Sequence, residues 1–370
     1  MHSIAGQGGD SMATKEILST FVDDGRVSTA AVVPDPHGPL PFDLDESQIY
    51  CFEPLSKKSA TAYLRYAFSP IKAVRRALQE YEPDVVVIRM HPLGTIPPLL
   101  SVLNGTPYIL LSRGTSYKSL RYARVLRQLY KVNARLAAEV YSASYEIKQD
   151  TDRARTKSQP ESKLVPNGIN PDKFEPKSKL QMRDMLDLGF DDDFVVGFVG
   201  SMGPRHTLDT LIRSLDKIDD LPVKLLLVGD GPELDSHKRL VKENNLSGRV
   251  TFTGFVPHAE VDKYISACDI TYGVTQQDSA TPIKCFEYLA CERPLIVRDI
   301  PEMEFVAEKN VGTLVSEIQE DNIADAIRRL YDVGEQKRNE MGERGREYVL
   351  KNHTWNAFVD EVVEYLSGRS

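Results

Sequence analysis

The chain has 370 residues, 41% of them hydrophobic, and a formal net charge of −8 at neutral pH. Length and apolar content together indicate two domains of ordinary size with substantial cores. No apolar run approaches a membrane span, Met1 opens no signal-peptide pattern, and Cys51, Cys268, Cys285 and Cys291 show neither metal-ligand nor disulfide-framework spacing, so the expectation is a cytoplasmic protein with reduced core thiols.

The run from Ala5 to Asp10 resembles the glycine loop after the first strand of a Rossmann unit, with Ser11 to Val22 as the following helix. Only Met1 to Ile4 precede it, too few for a buried central strand. A start further upstream, a stunted first strand and a Gly-rich terminus without a role all stand open. Strands are expected at Val27–Val33 and Gln48–Phe52, then a helical stretch over roughly 60–81. Strands follow at Pro83–Ile88, Pro107–Leu111 and Glu139–Ser142, with helices at Thr95–Leu103, Tyr117–Ala137 and Tyr145–Ala154. Strands alternating with helices predict a parallel α/β sheet.

Residues 157–161 read as a polar linker, and Lys163 to Asn170 as a strand and a Pro/Asn/Gly turn. A second alternating unit has strands at Phe194–Val199, Lys224–Val228, Arg249–Phe252, Ile270–Val274, Leu295–Val297 and Gly312–Val315. Helices at Asp321–Val333, Asn339–Leu350 and Asn356–Leu366 complete it. Two Rossmann-like domains are expected, with ligands beyond the carboxyl ends of the strands, in a cleft between them.

Ser279 to Pro294 is the stretch with the clearest chemistry. Thr281 suits an N-cap and Pro282 the first helical position, which leaves free N–H groups and the positive helix end as a phosphate seat. Glu287 shares a helix face with Ile283 and Ala290. A carboxylate there is either half-buried and hydrogen-bonded or holding a ligand hydroxyl. The pairing suits a sugar nucleotide, with diphosphate at the helix start and ribose on the acid. The plainer alternative is an amphipathic helix with a good cap and a solvated Glu.

Five segments then occur in order: Val165 to Asn170, Gly197 to Met202 continued by Arg205 to Leu211, Leu226 to Glu233, Val250 to Val256, and Ser279 to Pro294. With them the chain resembles the retaining family 4 glycosyltransferases of GT-B fold, over most of its length and most strongly from Val165 to Pro294. His353 to Trp355 and the helix after it are similar to the family's segment that crosses back onto the first domain. The resemblance implies an N-terminal acceptor-binding domain over 1–175 with 353–370, and a C-terminal nucleotide-sugar-binding domain over 176–352. It implies transfer of a hexose-type sugar from a UDP- or GDP-sugar to an acceptor hydroxyl with retention, without a cofactor or metal. No aspartate pair is placed for a metal–diphosphate bridge.

Catalysis of that kind needs cations and N–H dipoles on the departing diphosphate, in a site that excludes water. Gly197 and Gly200 allow close backbone approach. The resemblance places an Arg at Ser201 and Lys-Gly near Arg205-His206, so Arg205 is expected as the diphosphate clamp. Gly229, Gly231 and the backbone near Val256 are expected to face the nucleobase, Gly8 and Gly9 to serve the donor from the first domain, and Glu287 to bind ribose. Three departures stand out. Ser279 occupies the place of a second Glu, with Asp278 beside it to reach the sugar hydroxyls. Glu292 replaces a usual Gly. Arg113 stands where relatives have a His facing the donor sugar, with His91 as a substitute.

Charge is uneven along the chain. Residues 55–135 hold 14 basic against 3 acidic side chains. Lys118, Arg121, Arg124, Arg127, Lys131 and Arg135 recur at helical spacing, with Leu120, Leu126 and Leu129 between them and Tyr122 and Tyr130 as interface-type aromatics. Each basic group near an anionic leaflet contributes roughly 1 kcal/mol. The expectation is a peripheral enzyme on the inner face of the cell membrane with a glycolipid, polyprenyl-linked or polysaccharide acceptor. The overall acidity and the sugar-nucleotide motifs argue against nucleic acid. The alternatives are a non-catalytic sugar-nucleotide-binding scaffold and a GT-B sugar-nucleotide epimerase. A nicotinamide dehydrogenase lacks its G-x-G-x-x-G after a strand.

Overall fold

The computed structural model describes residues 9–35, 44–53, 65–89, 95–113, 123–190, 192–276 and 283–369. The chain divides into two compact units, one made of Met1–Gly168 with Trp355–Ser370, the other of Ile169–Thr354.

The first unit holds α1 (Gly9–Asp23), β1 (Ala31–Pro34), β2 (Ile49–Phe52), α2 (Ile71–Glu80), β3 (Val86–Arg89), α3 (Ile96–Leu103), β4 (Tyr108–Ser112), α4 (Ala123–Leu136), β5 (Glu139–Ser142), α5 (Tyr145–Ala154) and β6 (Lys163–Leu164). Among the described residues its strands form two parallel sheets, β1-β2 and β3-β4-β5-β6. The first strand expected ahead of Ala5 lies outside the described residues. The helical stretch expected over 60–81 is interrupted: 65–68 are helical, Ser69 and Pro70 turn, and α2 starts afresh. Pro70 has no N–H to continue the earlier turn, and its ring disfavours helical backbone before it. β4 is buried on both faces, as its unbroken apolar run requires.

The C-terminal helix (Trp355–Ser367) completes this unit. Phe358 meets Phe21 of α1 edge-on at 5.5 Å and Tyr141 of β5 at 5.7 Å. Tyr141 donates to the Glu361 carbonyl at 3.1 Å, and Lys163 pairs with the Glu361 carboxylate at 2.8 Å.

The second unit contains α6 (Lys179–Met185), β7 (Phe194–Val199), α7 (Leu208–Ser214), β8 (Val223–Val228), α8 (Leu234–Glu243), β9 (Val250–Gly254), α9 (Val261–Ser266), β10 (Ile270–Tyr272), α10 (Ile283–Ala290), β11 (Leu295–Arg298), α11 (Phe305–Glu308), β12 (Gly312–Val315), α12 (Glu320–Asp332) and α13 (Glu335–Asn352). Its strands form one parallel sheet in the order β12-β11-β10-β7-β8-β9. β7 is buried throughout, and an apolar core covers each face of the sheet. The Tyr288 hydroxyl accepts the Val199 N–H at 2.7 Å and donates to the Val199 carbonyl at 3.0 Å, which pins α10 to the end of β7. Ile169 N–H donates to the His353 carbonyl at 2.8 Å, and the His353 ring stacks on Phe286 of α10 at 3.9 Å.

Two expectations are corrected here. Cys51 is exposed on β2, whereas Cys268, Cys285 and Cys291 are buried; the alternation along β2 turns its side chain to the face opposite buried Tyr50. Tyr130 is no surface aromatic. It is buried with Leu126, and its hydroxyl bonds Ser112 at 3.0 Å and Thr151.

Candidate functional site

The carboxyl ends of β7 and β8 carry two loops that lock together by backbone. Gly200 N–H donates to the Val228 carbonyl at 3.0 Å, Met202 N–H to Asp230 at 2.8 Å, and Glu233 N–H back to Met202 at 3.0 Å. Gly229 has φ +126°, and a Cβ there would lie 2.1 Å from the Gly200 carbonyl oxygen; at Gly231 it would lie 2.5 Å from that of Met202. Loop-on-loop packing is therefore sufficient reason for both glycines. Gly229 N–H also donates to the Gly254 carbonyl at 2.9 Å, two residues before half-buried Val256.

Three basic side chains converge on the loop after β7. Arg205 Nε lies 3.1 Å from His206 Nε2, and Lys284 Nζ, on the first turn described in α10, lies 3.2 Å from His206 Nδ1. Lys284 Nζ also sits 4.1 Å from the centroid of the Phe198 ring, and 3.3 Å from where a Gly200 Cβ would be. Burial drives the Lys284 ammonium down to about 7; Arg205 adds to that, and Cys285 and Glu287 oppose it. Burial, then Lys284, then Arg205 push His206 down to about 3, so its ring is neutral. Ser201, in the same loop, is exposed.

Glu287 follows Lys284 by three residues on α10. Its side chain is 12% exposed and its Oε1 lies 3.2 Å from His258 Nε2. The His258 ring is held edge-on by Phe174 at 5.4 Å. One short helix thus presents a basic group toward the β7 loop and, one turn on, a carboxylate toward the loop after β9. Such a spacing suits an anion at one end and hydroxyl groups at the other.

The remaining sequence-predicted residues belong to the first unit or lie outside the described residues. Gly9 opens α1 in the first unit instead of lying in a loop before it. Arg113 follows β4. Its Nη1 donates to the Val165 carbonyl at 2.7 Å, and its guanidinium stands 5.3 Å from the Phe358 ring centroid and 6.0 Å from that of Trp355. Burial, with Arg89 nearby, draws its pKa down to about 9. Gly8, His91, Lys118, Arg121, Asp278, Thr281 and Pro282 lie outside the described residues. Arg124, Arg127 and Arg135 are exposed on α4 and Lys131 is half-buried. Arg135 Nε donates to the carbonyl of Ala154, at the end of α5, at 2.8 Å. Val125, Val132 and Leu136 of α4, and Leu99, Val102 and Leu103 of α3, are exposed as well. Among the described residues no three His, Cys, Asp or Glu side chains are grouped to hold a metal ion, and no helix is long and apolar enough to cross a membrane.

His258 and Lys284 are the site residues that sequence reasoning missed. The signal for Lys284 was available, since it lies one turn before Glu287. None was available for His258, which meets Glu287 only through the fold.

Residues 184–348 match the sequence profile of Glycosyl transferases group 1. The GDP-mannose-dependent alpha-(1-6)-phosphatidylinositol monomannoside mannosyltransferase of Mycolicibacterium smegmatis is 29% identical over 216 residues, which cover 55% of this chain and 56% of the relative. The chain spans about half the length of the first curated relatives it matches. Among solved structures, sucrose-phosphate synthase of Thermosynechococcus elongatus matches with a TM-score of 0.78 at 21% identity, covering 98% of this chain and 94% of that one. The Anabaena protein HepE, solved in complex with UDP, matches with a TM-score of 0.75 at 18% identity, covering 99% and 98%. The likeness is one of fold: an α/β GT-B architecture with two parallel Rossmann-like sheets.

Proposed function

We propose that this chain, whose residues 184–348 match the glycosyl transferases group 1 profile, is a member of that family and moves a hexose-type sugar from a UDP- or GDP-sugar to an acceptor hydroxyl with retention at the anomeric carbon. The observation that carries the reading is the arrangement on α10. Lys284, with His206 and Arg205, addresses the loop at the end of β7, and Glu287 with His258 lies one turn away. In this reading the diphosphate settles on the Gly200 loop, and the basic groups stabilise the charge that grows on it as the glycosidic bond breaks. Glu287 accepts from the ribose hydroxyls, with His258 orienting its carboxylate.

The acceptor in this reading is a glycolipid, polyprenyl-linked or polysaccharide chain at the inner face of the membrane. The Mycolicibacterium smegmatis relative is named for a phosphatidylinositol mannoside acceptor and a GDP-mannose donor. On α4, Arg124 and Arg127 lie beside exposed Val125 and Val132, a combination suited to an anionic lipid surface.

A non-catalytic sugar-nucleotide-binding protein is the second reading, and exposed Ser201, where the resemblance expects an arginine, favours it. Thermal unfolding against UDP-, GDP- and ADP-sugars, in wild type and Glu287→Ala, tests the donor site. At a hundred times the dissociation constant a ligand stabilises by about 2.7 kcal/mol. The expected result is stabilisation of wild type by one nucleotide class and its loss in the variant. Stabilisation by none of them sinks the donor reading. Stabilisation without hydrolysis or transfer to any acceptor favours the second reading.

A further inference from the structure

The hydrogen bonds around His206 constrain the protonation of its neighbours. A guanidinium only donates, so Arg205 Nε gives its proton to His206 Nε2, across 3.1 Å. His206 is buried, and burial, the largest cause acting on its ring before any charge on Lys284 is counted, keeps it neutral. A neutral imidazole whose Nε2 accepts carries its one proton on Nδ1. That N–H points at Lys284 Nζ, 3.2 Å away. A nitrogen accepts a proton only with a free lone pair, and an ammonium has none. The chain of donors running Arg205 to His206 to Lys284 is complete only if Lys284 is an uncharged amine.

We infer that Lys284 is a neutral amine until a nucleoside diphosphate reaches the loop after β7, and that it then takes up one proton from solvent and becomes the second cation on the diphosphate. The inference rests on the donor-site reading above and adds the identity and the charge state of the group that offsets Ser201. Ser201 contributes no charge to the loop, and Lys284 reaches that loop in space: its Nζ lies 3.3 Å from where a Cβ on Gly200, the residue before Ser201, would be.

The surroundings agree. The groups facing Lys284 are Arg205 and His206 from the segment after β7, the Phe198 ring from β7, and Cys285 and Glu287 from its own helix. The one carboxylate in that set, Glu287, is engaged by His258. A desolvated amine beside a guanidinium sheds its proton near neutrality, about 7. A diphosphate brings several negative charges to the same place and reverses the balance. On protonation Lys284 turns from accepting to donating, and His206 Nδ1–H gives up its partner to the incoming phosphate oxygens. The Phe198 ring face then holds the ammonium.

Linkage makes this measurable. A group protonated only in the complex makes binding weaken as pH rises above its free pKa. Isothermal titration calorimetry with UDP and with GDP at pH 8, in HEPES and in Tris, reads the proton count from the difference in apparent enthalpy. The expected result for wild type is uptake of about 0.9 proton per nucleotide and a dissociation constant about tenfold weaker at pH 9 than at pH 8. Lys284→Arg should bind with no uptake and no such pH dependence, and Lys284→Met should bind more weakly with no uptake. Binding by wild type without proton uptake overturns the inference and leaves the donor site standing. Uptake that persists in Lys284→Met also overturns it, and moves the proton to another group such as His258. Failure of wild type to bind either nucleotide overturns both the inference and the donor reading. Should the variants not fold, the wild-type measurement decides alone.

Discussion

Single positions in the second unit carry opposite backbone demands. Gly229 sits at φ +126°, and a side chain there would run into the Gly200 carbonyl. Glu292, at the turn between α10 and β11, adopts φ +58°, a left-handed conformation that costs an L-residue about 1 kcal/mol. The sequence departure at this position is thus a local strain, since a glycine adopts the same angles freely. Gly229→Ala is expected to cost about 3 kcal/mol through strain and overlap, and Glu292→Gly to be neutral or stabilising by up to about 1 kcal/mol. Urea unfolding of the two variants checks both signs. Glu287 was visible as a candidate from a local pattern, a carboxylate on an apolar helix face, and Arg205 from the family resemblance. The His258–Glu287 contact was not visible, because it joins residues 29 apart in sequence through the packing of the segment after β9 against α10. The neutral state of Lys284 was equally hidden, because it depends on a ring nitrogen 78 residues away.

Helix α4 shows how far a periodic pattern can be trusted. The basic spacing located an amphipathic helix, and the structure places Arg124 and Arg127 on its open side. The apolar partners of that row were misassigned: Leu126 and Tyr130 face the core, whereas Val125 at 59% exposure and Val132 at 46% lie outward. Both sets recur at helical spacing, and only the position of the sheet decides which one is inside. Replacing Arg124 and Arg127 together by Gln removes about 2 kcal/mol of attraction to an anionic leaflet, or roughly thirtyfold in partitioning. Co-sedimentation with phosphatidylglycerol-containing vesicles is the readout. Neutral phosphatidylcholine vesicles should show no difference between the proteins, and added salt should erase the one seen on anionic vesicles. Equal binding by both proteins would remove α4 from the lipid-facing surface. The strands were legible to a greater degree. Glu139–Ser142, Phe194–Val199 and Gly312–Val315 were bounded as observed, because short apolar runs between turn residues have few other ways to be buried. The order β12-β11-β10-β7-β8-β9 in the second unit was not, since strand order is a property of pairing and leaves no local trace.

For the molecule as a whole, the discontinuous first unit is the feature with the widest reach. Its core is finished by the C-terminal helix, where Phe358 lies between Phe21 and Tyr141. Phe358→Ala is expected to cost about 3–5 kcal/mol, and to do so in the first unit. Amide hydrogen exchange should rise along Gly9–Asp23 and Glu139–Ser142 and stay unchanged along Phe194–Val199. A uniform rise would mean that the two units melt as one. The same arrangement imposes a schedule on biosynthesis. The second unit is a continuous run of chain, Ile169–Thr354, and is ready to fold as it leaves the ribosome. The first unit begins earlier but must wait for a helix encoded after all of the second, an interval on the order of ten to forty seconds at ordinary elongation rates. Throughout that wait Phe21 and Tyr141 lack their aromatic partner, and the nascent protein presents an apolar face to whatever chaperone meets it first.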